Sequence, residues 1–133
     1  MATFSRLDMR LVASREVTGG TFEIVEDTRR IGTGPIPHVH RTFQEAFYVL
    51  EGRFTYVRGH NEVDCPAGSF ILIEPGTRHW YRAEEDRSRV LILAVPGNLA
   101  EFLDEMGQRM AAGMSQSDAM ASLSDRYDTQ PVP

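Results

Sequence analysis

Lysine is absent from this 133-residue chain: all fourteen basic residues are arginine. Schiff-base and lysine-base mechanisms are therefore excluded, apart from the N-terminal amine. One cysteine, Cys65, cannot form an intramolecular disulfide, which fits a reducing compartment. It sits beside Pro66-Ala67-Gly68, with nothing nearby in sequence to make its thiol nucleophilic, and reads as a bland buried thiol. No basic run exists to neutralise phosphates and the net charge is −5, so nucleic acid is not an expected partner. Long apolar runs are missing too. The longest, Val90 to Val95, is the length of a strand, so no membrane span is expected. The opening Met-Ala-Thr-Phe-Ser-Arg-Leu-Asp lacks the apolar core of a signal peptide, and the expected location is cytoplasmic. What is present is ordinary for a single globular domain: 41% apolar and 25% charged residues.

The pattern along the chain is one of short strands. Leu11-Val12 and Val17 suggest an edge strand, with Gly19-Gly20 as a turn. Strands are expected over 21–25, 45–50, 53–58, 62–64, 69–73, 79–83 and 89–95. Each is bounded by turn residues such as Gly59-His60-Asn61 and Glu74-Pro75-Gly76-Thr77. Proline at 35 and 37 removes two amide donors and stiffens the approach to His38, as at an edge or a barrel mouth. After Pro96-Gly97 the period changes. Leu99, Phe102, Leu103, Met106 and Met110 recur at helical spacing, with Asn98 and Glu101 placed as a capping pair. A second helix is expected from Ser115 or Ser117, carrying Ala119, Met120, Leu123 and Tyr127 on one face. The methionine stripe reads as core packing rather than a copper site. The organisation expected is a β domain over residues 1–97 and a helical tail over 98–133, packed on that domain or on a partner subunit. The fold class is all-β, a sandwich or barrel of jelly-roll type with a short C-terminal α-helical tail.

Three side chains able to bind a metal fall within eight positions: His38, His40 and Glu45. Strand alternation puts His38 and His40 on one side, and a turn between Arg41 and Gln44 lets Glu45 join them from the next strand. His79 also follows a tight turn and starts a strand, as His38 does after its prolines; if it joins the site, the set is His38, His40, Glu45 and His79. Three nitrogens and one oxygen leave coordination positions open, as a catalytic ion requires. His60, on a hairpin, reads as surface, and Arg41, Arg78 and Arg82 as solvated.

These residues carry a resemblance. Gly32, His38, His40, Glu45 and Gly52 match in spacing the first motif of the cupin superfamily, and Gly68, Gly76 and His79 resemble the second. The second motif departs from the pattern at Glu74, where proline is usual, and at Ala83, where asparagine is usual. The tail, with Phe102 after Pro96-Gly97 and Arg126-Tyr127 before a closing proline, resembles bacterial quercetin 2,3-dioxygenase-like monocupins, with Asp128 where glycine is expected. The resemblance implies a double-stranded β-helix, commonly dimeric. It also implies His38, His40, Glu45 and His79 as ligands of one divalent transition metal, with iron, manganese, nickel, cobalt and zinc all compatible.

Side chains in phase with the ligands are expected to line a substrate pocket: Phe47, Val49, Tyr81 and Ala83, with Phe54 and Tyr56 sharing one face of their strand. Glu45 is the candidate general base and Tyr81 a candidate proton donor or orienting group. The leading functional expectation is a metal-dependent oxygenase acting on an aromatic or enolisable small molecule with dioxygen. A non-redox isomerase or polyketide cyclase and a non-catalytic binding barrel are the alternatives.

Overall fold

The computed structural model of the protein describes residues 8–133. The segment on which the leader-peptide reading rests lies almost entirely outside them. Ten strands and three helices follow in chain order: β1 (Met9–Ala13), α1 (Arg15–Thr18), β2 (Glu23–Arg29), β3 (His38–Val39), β4 (Gln44–Glu51), β5 (Arg53–Arg58), β6 (Asn61–Pro66), β7 (Phe70–Ile73), β8 (His79–Ala83), β9 (Ser88–Val95), α2 (Ala100–Ala111), α3 (Gln116–Leu123) and β10 (Gln130–Pro131). They form two five-stranded antiparallel sheets, β1-β2-β9-β4-β7 and β10-β3-β8-β5-β6. This is the jelly-roll arrangement expected from the strand pattern.

Alternation along the strands decides what faces inward. On β9, Ser88, Val90, Ile92 and Ala94 are buried while the residues between them are half-buried. On β8 the buried set is His79, Tyr81 and Ala83. Tyr56 pairs in register with Tyr81 across β5 and β8, and their rings stack 4.8 Å apart. Phe47 and Phe54 close around the same two rings. Each of these aromatic side chains contributes roughly 1.5–3 kcal/mol through burial, which makes this cluster the apolar floor of the barrel.

Two glycines, the motif's Gly52 and the neighbouring Gly34, are required by close approach of other backbone or side-chain atoms. Gly52 turns β4 into β5 at φ +75°, and a Cβ there would meet Ser88 Oγ at 2.2 Å. Gly34 lies against β8, where a Cβ would sit 1.7 Å from the Tyr81 carbonyl oxygen. The two departures in the second motif leave the backbone intact. Thr77 N–H still donates to the Glu74 carbonyl to close the turn, and Gly76 N–H donates to the His40 carbonyl at 2.6 Å, joining the two motifs directly. Ala83 exchanges backbone hydrogen bonds with Gly32 and Thr33, so no side chain is needed there.

Three local expectations are corrected. Val17 is not in a strand. Ser14 accepts a hydrogen bond from Val17 N–H and starts the short helix α1, which ends at left-handed Gly19. Asn98 and Glu101 do not cap α2. Its N-cap residue is Leu99, and the buried Glu23 carboxylate of β2 accepts from Leu99 N–H at 2.7 Å and Ala100 N–H at 2.8 Å. Tyr127 lies beyond α3, which stops at Leu123, and its ring packs edge-on against Phe102 of α2.

Candidate metal centre

The approach segment Pro35-Ile36-Pro37 delivers the chain into β3, where His38 pairs in register with His79 of β8. Two residues later His40 faces the same side, and the turn at Arg41–Phe43 returns the chain into β4 at Glu45. All four side chains are buried, and their ligating atoms lie within 4.8 Å of one another.

Each imidazole is oriented from behind. His38 Nδ1 donates to the Ile36 carbonyl at 2.7 Å and His79 Nδ1 to the Thr77 carbonyl at 2.8 Å. His40 Nδ1 donates to the Asp128 carbonyl at 2.9 Å, with Thr129 Oγ1 at 3.0 Å. A carbonyl oxygen only accepts, so the ring proton is on Nδ1 in each case and the Nε2 lone pairs turn inward. This backing from carbonyl groups is the arrangement that orients metal-binding histidines.

Asp128, the departure from the tail pattern, has its own task. Its carboxylate accepts from Arg41 N–H, Thr42 N–H and the Thr42 hydroxyl, pinning the turn between His40 and Glu45.

The inward face carries an electrostatic conflict. Glu45 Oε1 lies 2.6 Å from His40 Nε2 and 3.0 Å from His79 Nε2. The His40 contact is short, yet it lacks hydrogen-bonding alignment and leaves Nε2 buried without a partner. With the ring protons committed to Nδ1, a carboxylate oxygen and bare nitrogen lone pairs face one another. A cation among them relieves that repulsion, and three imidazoles with one carboxylate suit a divalent transition metal. The residues therefore fit such an ion.

Ionisation follows the same geometry. Burial disfavours the Glu45 charge; in the metal-free site a proton on the facing nitrogen of the neighbouring imidazoles, His40 foremost, turns that repulsion into attraction, which outweighs burial and holds the carboxyl well below its ordinary range. Burial also works against a charged His40, where the Glu45 carboxylate prevails and raises its pKa. His38, burdened by burial and by its two neighbouring histidines, is lowered to about 3 and stays neutral.

His38, His40 and Glu45 form one end of a cavity of about 110 Å³, with His79 fully buried behind them. Phe47, Tyr81 and Ile92 supply its barrel wall. Leu99, Phe102, Leu103, Met106 and Met110 of the α2 segment, with Met120 of α3, cover the opposite side. Of the pocket residues expected from strand phase, Phe47 and Tyr81 border this cavity. Val49, Phe54, Tyr56 and Ala83 do not, and are fully buried in the packed layer instead. Phase distinguishes inward from outward. Depth along the barrel decides whether an inward side chain meets the cavity or another side chain.

The Tyr81 hydroxyl donates to the buried Asp27 carboxylate at 2.7 Å, and burial followed by that negative neighbour pushes its pKa well above the usual phenol value. Arg29, on β2, also borders the cavity and was not singled out from sequence. Neither were Asp27 and Thr129. An alternating Glu23-Val25-Asp27 face on a strand ending in Arg29 is the signal that was available. Arg41, Arg78 and Arg82 lie outside the cavity, and His60 is exposed.

Residues 20–96 match a family described as "Cupin domain". A curated quercetin 2,3-dioxygenase of Bacillus subtilis (strain 168) is 27% identical over 117 residues, covering 88% of this chain and 35% of the relative. The chain thus spans about a third of the length of that relative. Among solved structures, KdgF from Halomonas sp. superposes with a TM-score of 0.64 at 19% identity, covering 74% of this chain and 96% of its own. An rmlc-like cupin protein from Desulfovibrio desulfuricans superposes with a TM-score of 0.58 at 28% identity, covering 72% of this chain and 90% of its own.

Proposed function

The chain belongs to the cupin domain family, and from that premise we propose that it is a metal-dependent oxygenase of the quercetin-dioxygenase type, acting on an aromatic or enolisable small molecule. The observation that carries this reading is the convergence of three inward-facing Nε2 atoms and one ionised carboxylate at the end of an apolar cavity. His38, His40, His79 and Glu45 would hold the ion. When bound, the ion supplies Lewis acidity and open positions at which a substrate oxygen and dioxygen meet.

The remaining work belongs to the chain. Glu45 Oε2 makes no hydrogen bond among the described residues, so the ionised carboxylate is able to accept a proton from a substrate hydroxyl. Phe47, Ile92 and Phe102 exclude water from the reacting end and provide a flat apolar surface. Tyr81, with its hydroxyl committed to Asp27, serves as an orienting wall rather than a proton donor.

Elemental analysis of protein purified without added metal tests the site. The expected result is one transition-metal ion per chain, lost in His40→Ala. Full retention of metal in that variant would remove the ligand assignment. Oxygen uptake with flavonol and catechol substrates tests the reaction. Turnover that is unchanged without oxygen would point instead to isomerase or cyclase chemistry, and tight binding without product to a non-catalytic barrel.

Among the described residues, no helix is long and apolar enough to cross a membrane. We expect a homodimer. The cross-strand neighbours Tyr48 and Phe70, exposed by 46% and 66% on the outer face of the β1-β2-β9-β4-β7 sheet, support an apolar contact there. Sedimentation at micromolar concentration checks this, and a monomer mass would contradict it.

A further inference from the structure

Arg29 stands at the neck between the inner cavity and an outer cleft bordered by Asp8, Thr28, Arg30 and Thr33. Only 18% of its side chain is exposed. Its Nε donates to Asp27 Oδ2 at 2.8 Å, and its guanidinium lies 5.8 Å from the centre of the Tyr81 ring. Asp27 is itself fixed, being buried and accepting the Tyr81 hydroxyl. The guanidinium is thus held along one edge and against one ring. Among the described residues no carboxylate or carbonyl accepts from Nη1 or Nη2; the guanidinium's other polar neighbour is the Tyr81 hydroxyl, already committed to Asp27.

An arginine with a purely structural role in a core usually presents its planar fork to a carboxylate through two nitrogens. Here the carboxylate takes one nitrogen, and the group carrying the unused donors borders the cavity. The charge balance points the same way. With the histidines neutral, Glu45, Asp27 and Arg29 sum to one negative charge. A divalent ion turns this into one positive charge, which a monoanionic ligand neutralises.

Resting on the metal-centred reading above, we propose that the substrate is a small organic acid. Its oxygen-bearing end lies against His38, His40 and Glu45, its apolar body lies along Phe102 and Met106, and its carboxylate is held by Arg29 Nη1 and Nη2. Arg29 is then the residue that selects for an acid over a neutral analogue.

The test is calorimetric titration of metal-loaded protein, without oxygen, using dihydrocaffeate (a catechol with a carboxylate arm) and its primary amide. The two share the chelating end and differ in charge at the other. The acid is expected to bind about tenfold or more tightly than the amide, the scale of a charge-assisted hydrogen-bond pair. Arg29→Gln should erase that preference, and Arg29→Lys should keep part of it. The comparison in the unsubstituted protein stands even if Arg29→Gln fails to fold. Equal binding of acid and amide, or no binding of either, overturns the proposal. Equal binding that requires the metal leaves the metal-centred reading standing while the acid proposal falls. An acid preference that persists after the metal is stripped does the reverse.

Discussion

Glu45 Oε1 is where the charges of the site meet, since two histidine nitrogens approach that one atom at 2.6 and 3.0 Å. The pH dependence of the metal-free protein follows from it. His38 is lowered to about 3 when folded, against an ordinary value of about 6.5, so between those values the unfolded chain binds more protons. Stability therefore falls as pH drops below about 6.5. Glu45, held low, acts in the same direction. Its stabilisation is complete above the ordinary carboxylate value of about 4.3 and is lost as pH falls through its folded value. His40, raised, is opposite in sign. Its contribution is complete below about 6.5 and is lost as pH rises through its folded value. In chelator-treated protein, denaturant titrations between pH values of about 5 and 6.5 should show stability falling as pH falls, at a slope approaching that of one proton taken up on unfolding. His38→Asn should flatten that slope, and an unchanged slope would contradict the assignment. At this scale His38, His40 and Glu45 were legible in the sequence, because a two-residue period and a tight turn are local rules, while His79 joined them through the paired motifs of the family resemblance. Arg29 and Thr129 were not. What marks them is the cavity or the ring each one meets, 9 residues before His38 in one case and 89 after His40 in the other.

The helical tail shows how an element's sequence can predict its existence while mis-stating its fastening. The spacing of Leu99, Phe102, Leu103 and Met106 predicts α2 correctly, and Ser115 starts the next helix as a side-chain cap. The cap of α2 comes instead from Glu23, more than seventy residues earlier. Glu23→Ala leaves two buried amide donors without an acceptor, at a cost of about 1–3 kcal/mol. Urea unfolding should show that loss with an unchanged denaturant slope. Because α2 covers the cavity, the same variant should also weaken ligand binding. A variant as stable as the parent would show that water replaces the carboxylate without penalty. The methionine stripe packs against the core, as its helical spacing predicts. Its partner is partly open space, with Met106, Met110 and Met120 bordering the cavity. Helical periodicity identifies the apolar face of a helix but not how closely the opposing surface approaches it.

Across the whole molecule, the end of the chain returns to complete its middle. β10 pairs with β3, Gln130 opposite Val39 and Pro131 opposite His38, while Asp128 and Thr129 brace His40 and the following turn. A cut after residue 97 would remove one wall of the cavity as well as these braces, so we expect the two segments to function as one unit. A chain ending at Tyr127 tests the narrower point. It should keep most of its melting temperature but bind metal about 10–100-fold more weakly, the usual effect of losing groups that orient a ligand. Unchanged metal affinity would show that β3 is held without the tail.

The sequence by itself determined the succession of strands along the chain and the two turn-bounded motifs that carry His38, His40, Glu45 and His79, because alternation and turn chemistry act over a few residues. Only the tertiary structure decided which inward side chains border the cavity, that Glu23 caps α2, and that Arg29 stands at its neck beside Asp27. Those features depend on the distance between surfaces contributed by remote parts of the chain, and no local period encodes that distance.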